Sequence, residues 1–134
     1  MTRLLRRSAL ALILAFAAIP LAFANYSYTD YSEDVLAAAE ASGEPYLLDF
    51  YATWCTTCRA QERVVEGLYA SDSKYNAIKV IRVDWDTYRR SQLVADLQIP
   101  RRSTLVLFKG ETELGRIVAQ TGEGEIRGLL DKAF

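Results

Sequence analysis

The run Tyr46-Leu-Leu-Asp-Phe-Tyr-Ala52 constrains this chain more than any other stretch. It has strand length and is almost continuously apolar, the pattern of a strand covered on both faces. Such a strand needs helices above and below its sheet, so the chain reads as α/β. Thr53-Trp54 follows the run, and Cys55-Thr56-Thr57-Cys58 opens the next segment. Ahead of it, residues 25–31 read as an extended lead-in. Ser32 reads as an N-cap with Glu33 and Asp34 in the first turn, and Gly43 as the stop of that helix. A second helix is expected through Cys58, Val64, Val65 and Leu68, then a polar loop over 71–76 and a Val/Ile-rich strand over 78–85. A helix over 89–97, a strand over 104–108 and its hairpin partner over 114–119 come next. A break at 122–124 precedes a last helix carrying Ile126, Leu129 and Leu130. A βαβ unit followed by a C-terminal hairpin makes a central mixed sheet flanked by helices on both faces.

The 134 residues are enough for one such domain, and the first 24 are of a different kind. Arg3, Arg6 and Arg7 form a basic start, Ala9 to Phe23 is apolar, and Ala22-Phe23-Ala24 offers small residues where a signal peptidase reads. Residues 1–24 are therefore expected to be a cleaved signal peptide and 25–134 the domain, delivered to the periplasm. The apolar run of 15 residues is short beside the ~20 that span a bilayer, which disfavours the alternative of an uncleaved anchor. Sixteen basic residues less those three arginines, against 17 acidic, leave about −4 on the domain. That balance excludes nucleic acid as an expected partner. The chain has no His, so neither the commonest general base nor the commonest metal ligand is present.

Both cysteines lie in the one Cys-x-x-Cys. A bridge closing so short a loop gains little stability, so the pair is better explained by chemistry than by stapling. Placed between a buried strand and a helix, Cys55 meets unpaired N–H groups and the positive end of the helix dipole. Both favour a thiolate, which makes Cys55 the expected exposed nucleophile and Cys58, one turn on, the resolving thiol. Trp54 is expected to cover the site and supply apolar contact to a partner peptide.

Leu48-Asp49-Phe50-Tyr51-Ala52-Thr53-Trp54-Cys55-Thr56-Thr57-Cys58-Arg59 resembles the active-site strand and loop of thioredoxins. It is closer still to the C-terminal thioredoxin-like domain of bacterial transmembrane disulfide reductases. Val83-Asp84, Thr104-Leu105-Val106-Leu107-Phe108-Lys109 and Gly122 extend the resemblance to the C-terminus. It implies a thioredoxin-like fold, a redox disulfide Cys55–Cys58, and Asp49 as proton acceptor for the resolving cysteine. Burial of Asp49 inside an apolar strand would raise its pKa toward the working range; the competing reading is a structural, hydrogen-bonded Asp. The position of the lysine that often accompanies this acid is Val80. The family's cis-proline matches Ser103 without a gap, or Pro100 if residues 101–103 are an insertion. Arg102 and Ser103 then join Trp54 as expected substrate contacts, with Arg101 beside them.

The expected activity is that of a thiol–disulfide oxidoreductase, on the reductase side. Its expected partners are protein disulfides and an integral-membrane thiol donor. It is expected to act as a monomer with no cofactor and no bound metal. The alternative is a soft-metal, copper-type carrier of the same fold, for which two thiolates without His are a sparse ligand set. A redox-inert binding module is a third possibility, disfavoured by two intact cysteines.

Overall fold

A computed structural model describes residues 26–134; the signal peptide expected over 1–24 lies outside the described residues. Five strands form one sheet: β1 (Tyr28–Asp30), β2 (Pro45–Tyr51), β3 (Lys79–Asp84), β4 (Thr104–Lys109) and β5 (Thr112–Val118). Their order is β1-β3-β2-β4-β5. The apolar run is thus the central strand, parallel to β3 on one edge and antiparallel to β4 on the other. Every residue of β2 except Tyr51 is buried, as two-sided coverage requires.

The helices are α1 (Glu33–Ser42), α2 (Thr56–Ser71), α3 (Trp85–Tyr88), α4 (Gln92–Asp96) and α5 (Glu123–Leu130). Alternation along the strands sorts the core into two layers. Leu47, Val80, Leu105 and Leu107 pack with Val65, Leu68 and Tyr69 of α2 and with Ile126, Leu129 and Leu130 of α5. Leu48, Phe50, Ile81, Val83 and Val106 form the opposite layer with Ala39 of α1 and Val94 of α4. By the same alternation Asp49 of β2 and Arg82 of β3 share the α2 face.

Both expected ends of α1 are found: Ser32 Oγ accepts from the Val35 N–H at 3.2 Å, and Gly43 closes the helix at φ 69°. Three segments differ from the sequence reading. The lead-in is a strand, because β1 finds the open edge of β3. The helix expected over 89–97 is shortened to α4, where Ser91 accepts from the Val94 N–H, and an unexpected turn of helix, α3, begins at Trp85 in the last position of the expected strand, where Asp84 accepts from the Asp86 N–H. The expected polar loop tightens into a 3₁₀ turn, Ser73–Ala77, because Tyr75 is drawn fully into the core. Its hydroxyl donates to Asp131 Oδ1 at 2.7 Å, tying this turn to the end of α5.

That burial makes Tyr75 a test of the fold. Tyr75→Ala should destabilise the domain by about 3–5 kcal/mol, the usual cost of deleting a buried aromatic. Tyr75→Phe, which loses only the hydrogen bond, should cost about 1 kcal/mol. Urea denaturation of the oxidised protein measures both.

Candidate active site

Cys55 is the N-cap of α2, its Sγ accepting from the Cys58 N–H at 3.1 Å. The two residues are joined as a disulfide with Cα atoms 5.3 Å apart. The expectation of an exposed Cys55 needs correcting: Cys55 is 3% and Cys58 4% exposed. Ala52 packs with both, and Tyr51 and Trp85 lie against the cluster. A cleft of about 260 Å³ lined by Tyr28, Tyr51, Thr53, Glu62 and Arg82 reaches Cys58 from the side.

Trp54 is 53% exposed beside the pair. Its indole N–H donates to Asp86 Oδ2 at 2.8 Å, and the Arg102 guanidinium carbon lies 4.3 Å from its ring. The exposed Trp54 ring is therefore fixed by an acceptor on α3 at its N–H edge and by a cation–π contact on its face.

Ser103 faces the sulfurs, while Pro100 is exposed. Ser103 is wholly buried, with Oγ 3.1 Å from Cys55 Sγ and 3.1 Å from Cys58 Sγ. No cis peptide bond occurs among the described residues, and Ser103 takes the left-handed conformation at φ 61°. For a non-glycine residue that costs on the order of 1–2 kcal/mol and persists only where surroundings enforce it. They do so here: the Ser103 N–H donates to the Phe50 carbonyl at 2.7 Å, and its own carbonyl accepts from the Ala119 N–H at 2.8 Å. Gln61 Nε2 donates to the Ser103 and Gln120 carbonyls at 3.0 and 2.9 Å. A proline at 103 would need φ near −65° and would forfeit the bond to Phe50.

Asp49 is 5% exposed. It sits directly opposite Arg82 in the β2–β3 register, with Arg82 Nε 3.5 Å from Oδ2. That is ion-pair distance without hydrogen-bond geometry, and Arg82 Nε has no hydrogen-bond partner. Arg82 Nη1 instead donates to Glu62 Oε1 at 3.0 Å, and the Tyr51 and Tyr28 rings flank the guanidinium. Desolvation pushes the Asp49 carboxyl up to about 7, with Arg82 pulling it down and Glu62 adding to the rise. Val80, at the family's lysine position, lies in the core, so the cation near Asp49 comes from two residues further along β3.

Arg82, Glu62 and Gln61 were not picked out in the sequence reading. Arg82 carried a usable clue, a charge inside a Val/Ile strand like the one that marked Asp49. Gln61 carried another, a polar residue on the α2 face shared by Cys58, Val65 and Leu68.

The raised Asp49 pKa makes stability pH-dependent in a definite direction. The folded state holds this proton more tightly than the unfolded chain, so Asp49 costs stability progressively as pH rises from about 4 to about 7. Asp49→Asn should therefore be nearly neutral at pH 4 and should stabilise at pH 8 by on the order of 1–3 kcal/mol. Urea midpoints at the two pH values decide it; equal shifts at both would remove Asp49 as the titrating group.

Comparison with known proteins agrees with this geometry. The thioredoxin family profile matches residues 23–132. Thioredoxin of Mycolicibacterium smegmatis is 32% identical over 113 residues, covering 83% of this chain and 96% of that protein. Thiol:disulfide interchange protein DsbD 2 of Pseudomonas aeruginosa is 33% identical over 97 residues, 71% of this chain but only 16% of that protein. Among solved structures, Trxlp from Edwardsiella tarda superposes with a TM-score of 0.67 at 31% identity, covering 77% of this chain and 98% of that one. With a mixed five-stranded sheet, a Cys-x-x-Cys disulfide capping α2 and a buried acid on the central strand, this chain belongs to the thioredoxin family of thiol–disulfide oxidoreductases.

Proposed function

We propose that this protein is an exported, periplasmic disulfide reductase that acts as a monomer. The observation that carries the chemistry is the Cys55 Sγ at the start of α2, already accepting the Cys58 N–H. On reduction that amide and the helix dipole stabilise a Cys55 thiolate. Cys55 attacks a protein disulfide, forming a mixed disulfide and expelling one substrate thiolate. Cys58 then gives its proton to the Asp49 carboxylate and attacks Cys55 Sγ, releasing the second substrate thiolate. The substrate gains two electrons and the Cys55–Cys58 disulfide is restored.

Trp54 and Arg102 provide the contact surface for the substrate peptide, and Ser103 lies beneath it at the sulfurs. An integral-membrane thiol carrier re-reduces the pair. Support for that donor is the likeness of the active-site strand and loop to the transmembrane reductases, together with the leader-like residues 1–24. Among the described residues no group of three or more His, Cys, Asp or Glu converges, so no observation favours the soft-metal alternative.

Two experiments test this reading. Cys58→Ser should trap a mixed disulfide with an exported protein, visible on non-reducing gels, and Cys55→Ser should not; equal trapping by both would count against Cys55 as the nucleophile. The reduction potential should lie nearer about −270 mV than about −120 mV, as a reductase requires.

The proton step has its own signature. The rate of mixed-disulfide resolution should rise as pH passes through about 7, where Asp49 becomes a base. Asp49→Asn should lose that limb and slow resolution by roughly 10²-fold at pH 8. Stopped-flow reduction of a model disulfide measures it.

A further inference from the structure

We infer that Ser103 is a fourth catalytic residue, whose hydroxyl donates a hydrogen bond to the thiolate formed on Cys55 and then to the one formed on Cys58. In the disulfide neither sulfur carries a proton, so the one Oγ–H is the only donor for the two 3.1 Å contacts and is shared between them. Among the described residues this wholly buried hydroxyl has no other hydrogen-bond partner. It is equidistant from the two sulfurs, and a hydroxyl proton redirects by rotation about one bond without moving the heavy atom. A disulfide sulfur is neutral and a weak acceptor, whereas a thiolate makes a charge-assisted bond of roughly twice the strength. The donor therefore stabilises the reduced, ionised pair more than the resting disulfide.

Backbone geometry points the same way. Residue 103 is held in a conformation that glycine adopts freely and serine does not. Its N–H and carbonyl are both engaged, to Phe50 on β2 and to Ala119 and Gln61. The side chain is what this residue offers the site, and the offered atom is Oγ. Through the cycle Ser103 keeps its own proton. Its bond serves Cys55 Sγ before attack, when that sulfur is the thiolate. It passes to Cys58 Sγ once Cys55 is in the mixed disulfide and Cys58 has lost its proton to Asp49.

The inference rests on Cys55–Cys58 being an exchange pair, and that premise is read separately, by whether the wild-type dithiol is oxidised by oxidised glutathione. Failure there sinks the proposed function whatever Ser103 does. For Ser103 itself the variants are Ser103→Gly, which suits the left-handed backbone and removes Oγ, and Ser103→Ala, which removes Oγ but keeps the backbone strained. Thiolate absorbance is titrated in each reduced protein, and the equilibrium with glutathione is measured at pH 7. Both variants should raise the pKa of the Cys55 thiol by about one unit, a tenfold change worth about 1.4 kcal/mol. Both should also make the pair more reducing by up to about 30 mV, the tenfold change in a two-electron equilibrium. An unchanged titration in Ser103→Gly overturns the inference. So does a shift in only one of the two variants, since that would trace to the backbone and not to the hydroxyl.

Discussion

Strand β2 is bonded along both edges and covered on both faces, and the reactive groups are positioned from its C-terminal half. Its parallel register with β3 sets Asp49 opposite Arg82. Its antiparallel register with β4 sets Phe50 opposite Thr104. The Phe50 carbonyl then takes the Ser103 N–H, which brings the serine to the sulfurs. Past Tyr51 the chain turns into α2 with Cys55 as its cap. A slip of one residue in β2 would carry Asp49 to the α1 face and away from Arg82, because successive side chains point to opposite faces. The apolar residues of β2 thus position chemistry that they do not perform.

The charges next to this strand are arranged with a restraint that matters. A buried carboxylate fully bonded to a guanidinium would have a depressed pKa and be a poor proton acceptor near neutrality. Arg82 is close enough to Asp49 to lower the cost of ionising it, but its hydrogen bond goes to Glu62. The rings of Tyr51 and Tyr28 also lie against the guanidinium, with centroids 3.7 and 4.5 Å from its carbon. Desolvation therefore remains the largest influence on Asp49, and the carboxyl titrates near 7. The same cleft that is lined by Arg82 and Glu62 reaches Cys58, so the ionic cluster and the buried sulfur share one route to solvent.

Much of this was legible in the sequence where a local rule had only one solution. The apolar run could only be a central strand, Ser32 and Gly43 could bracket α1, and Cys55 had to fall where a helix begins. The sequence misled where the outcome depended on partners far along the chain. Residues 26–31 read as extended but carry no sign that β3 has a free edge for them. Residues 89–97 read as one helix and Trp85 as the end of a strand, yet Asp84 and Ser91 both have capping side chains and the chain starts a helix at each. Val80 correctly ruled out a lysine beside Asp49, but only the β2–β3 register shows that Arg82 is near enough to act in its place. Gln61 reads as an interruption of the α2 apolar face until Ser103 and Gln120 are brought under it.

Loss of the proline is the departure with the widest structural consequence, and the fold meets it with hydrogen bonds in place of a ring. Proline fixes φ covalently and gives up a donor. Ser103 keeps its donor, and its conformation is enforced by the bonds to Phe50, Ala119 and Gln61, while Thr104 Oγ1 donates back to the Arg101 carbonyl at 2.7 Å. Ala119, on the facing loop, is also left-handed at φ 59°, and Gln61 spans both loops through one amide nitrogen. Ser103 and Ala119 are joined by the Ala119 N–H to Ser103 carbonyl bond, and one side chain from the helix that Cys55 caps binds the carbonyls of Ser103 and Gln120. Gln61 lies one turn beyond Cys58, so the second turn of α2 is tied by hydrogen bond to the residue whose hydroxyl meets the sulfurs.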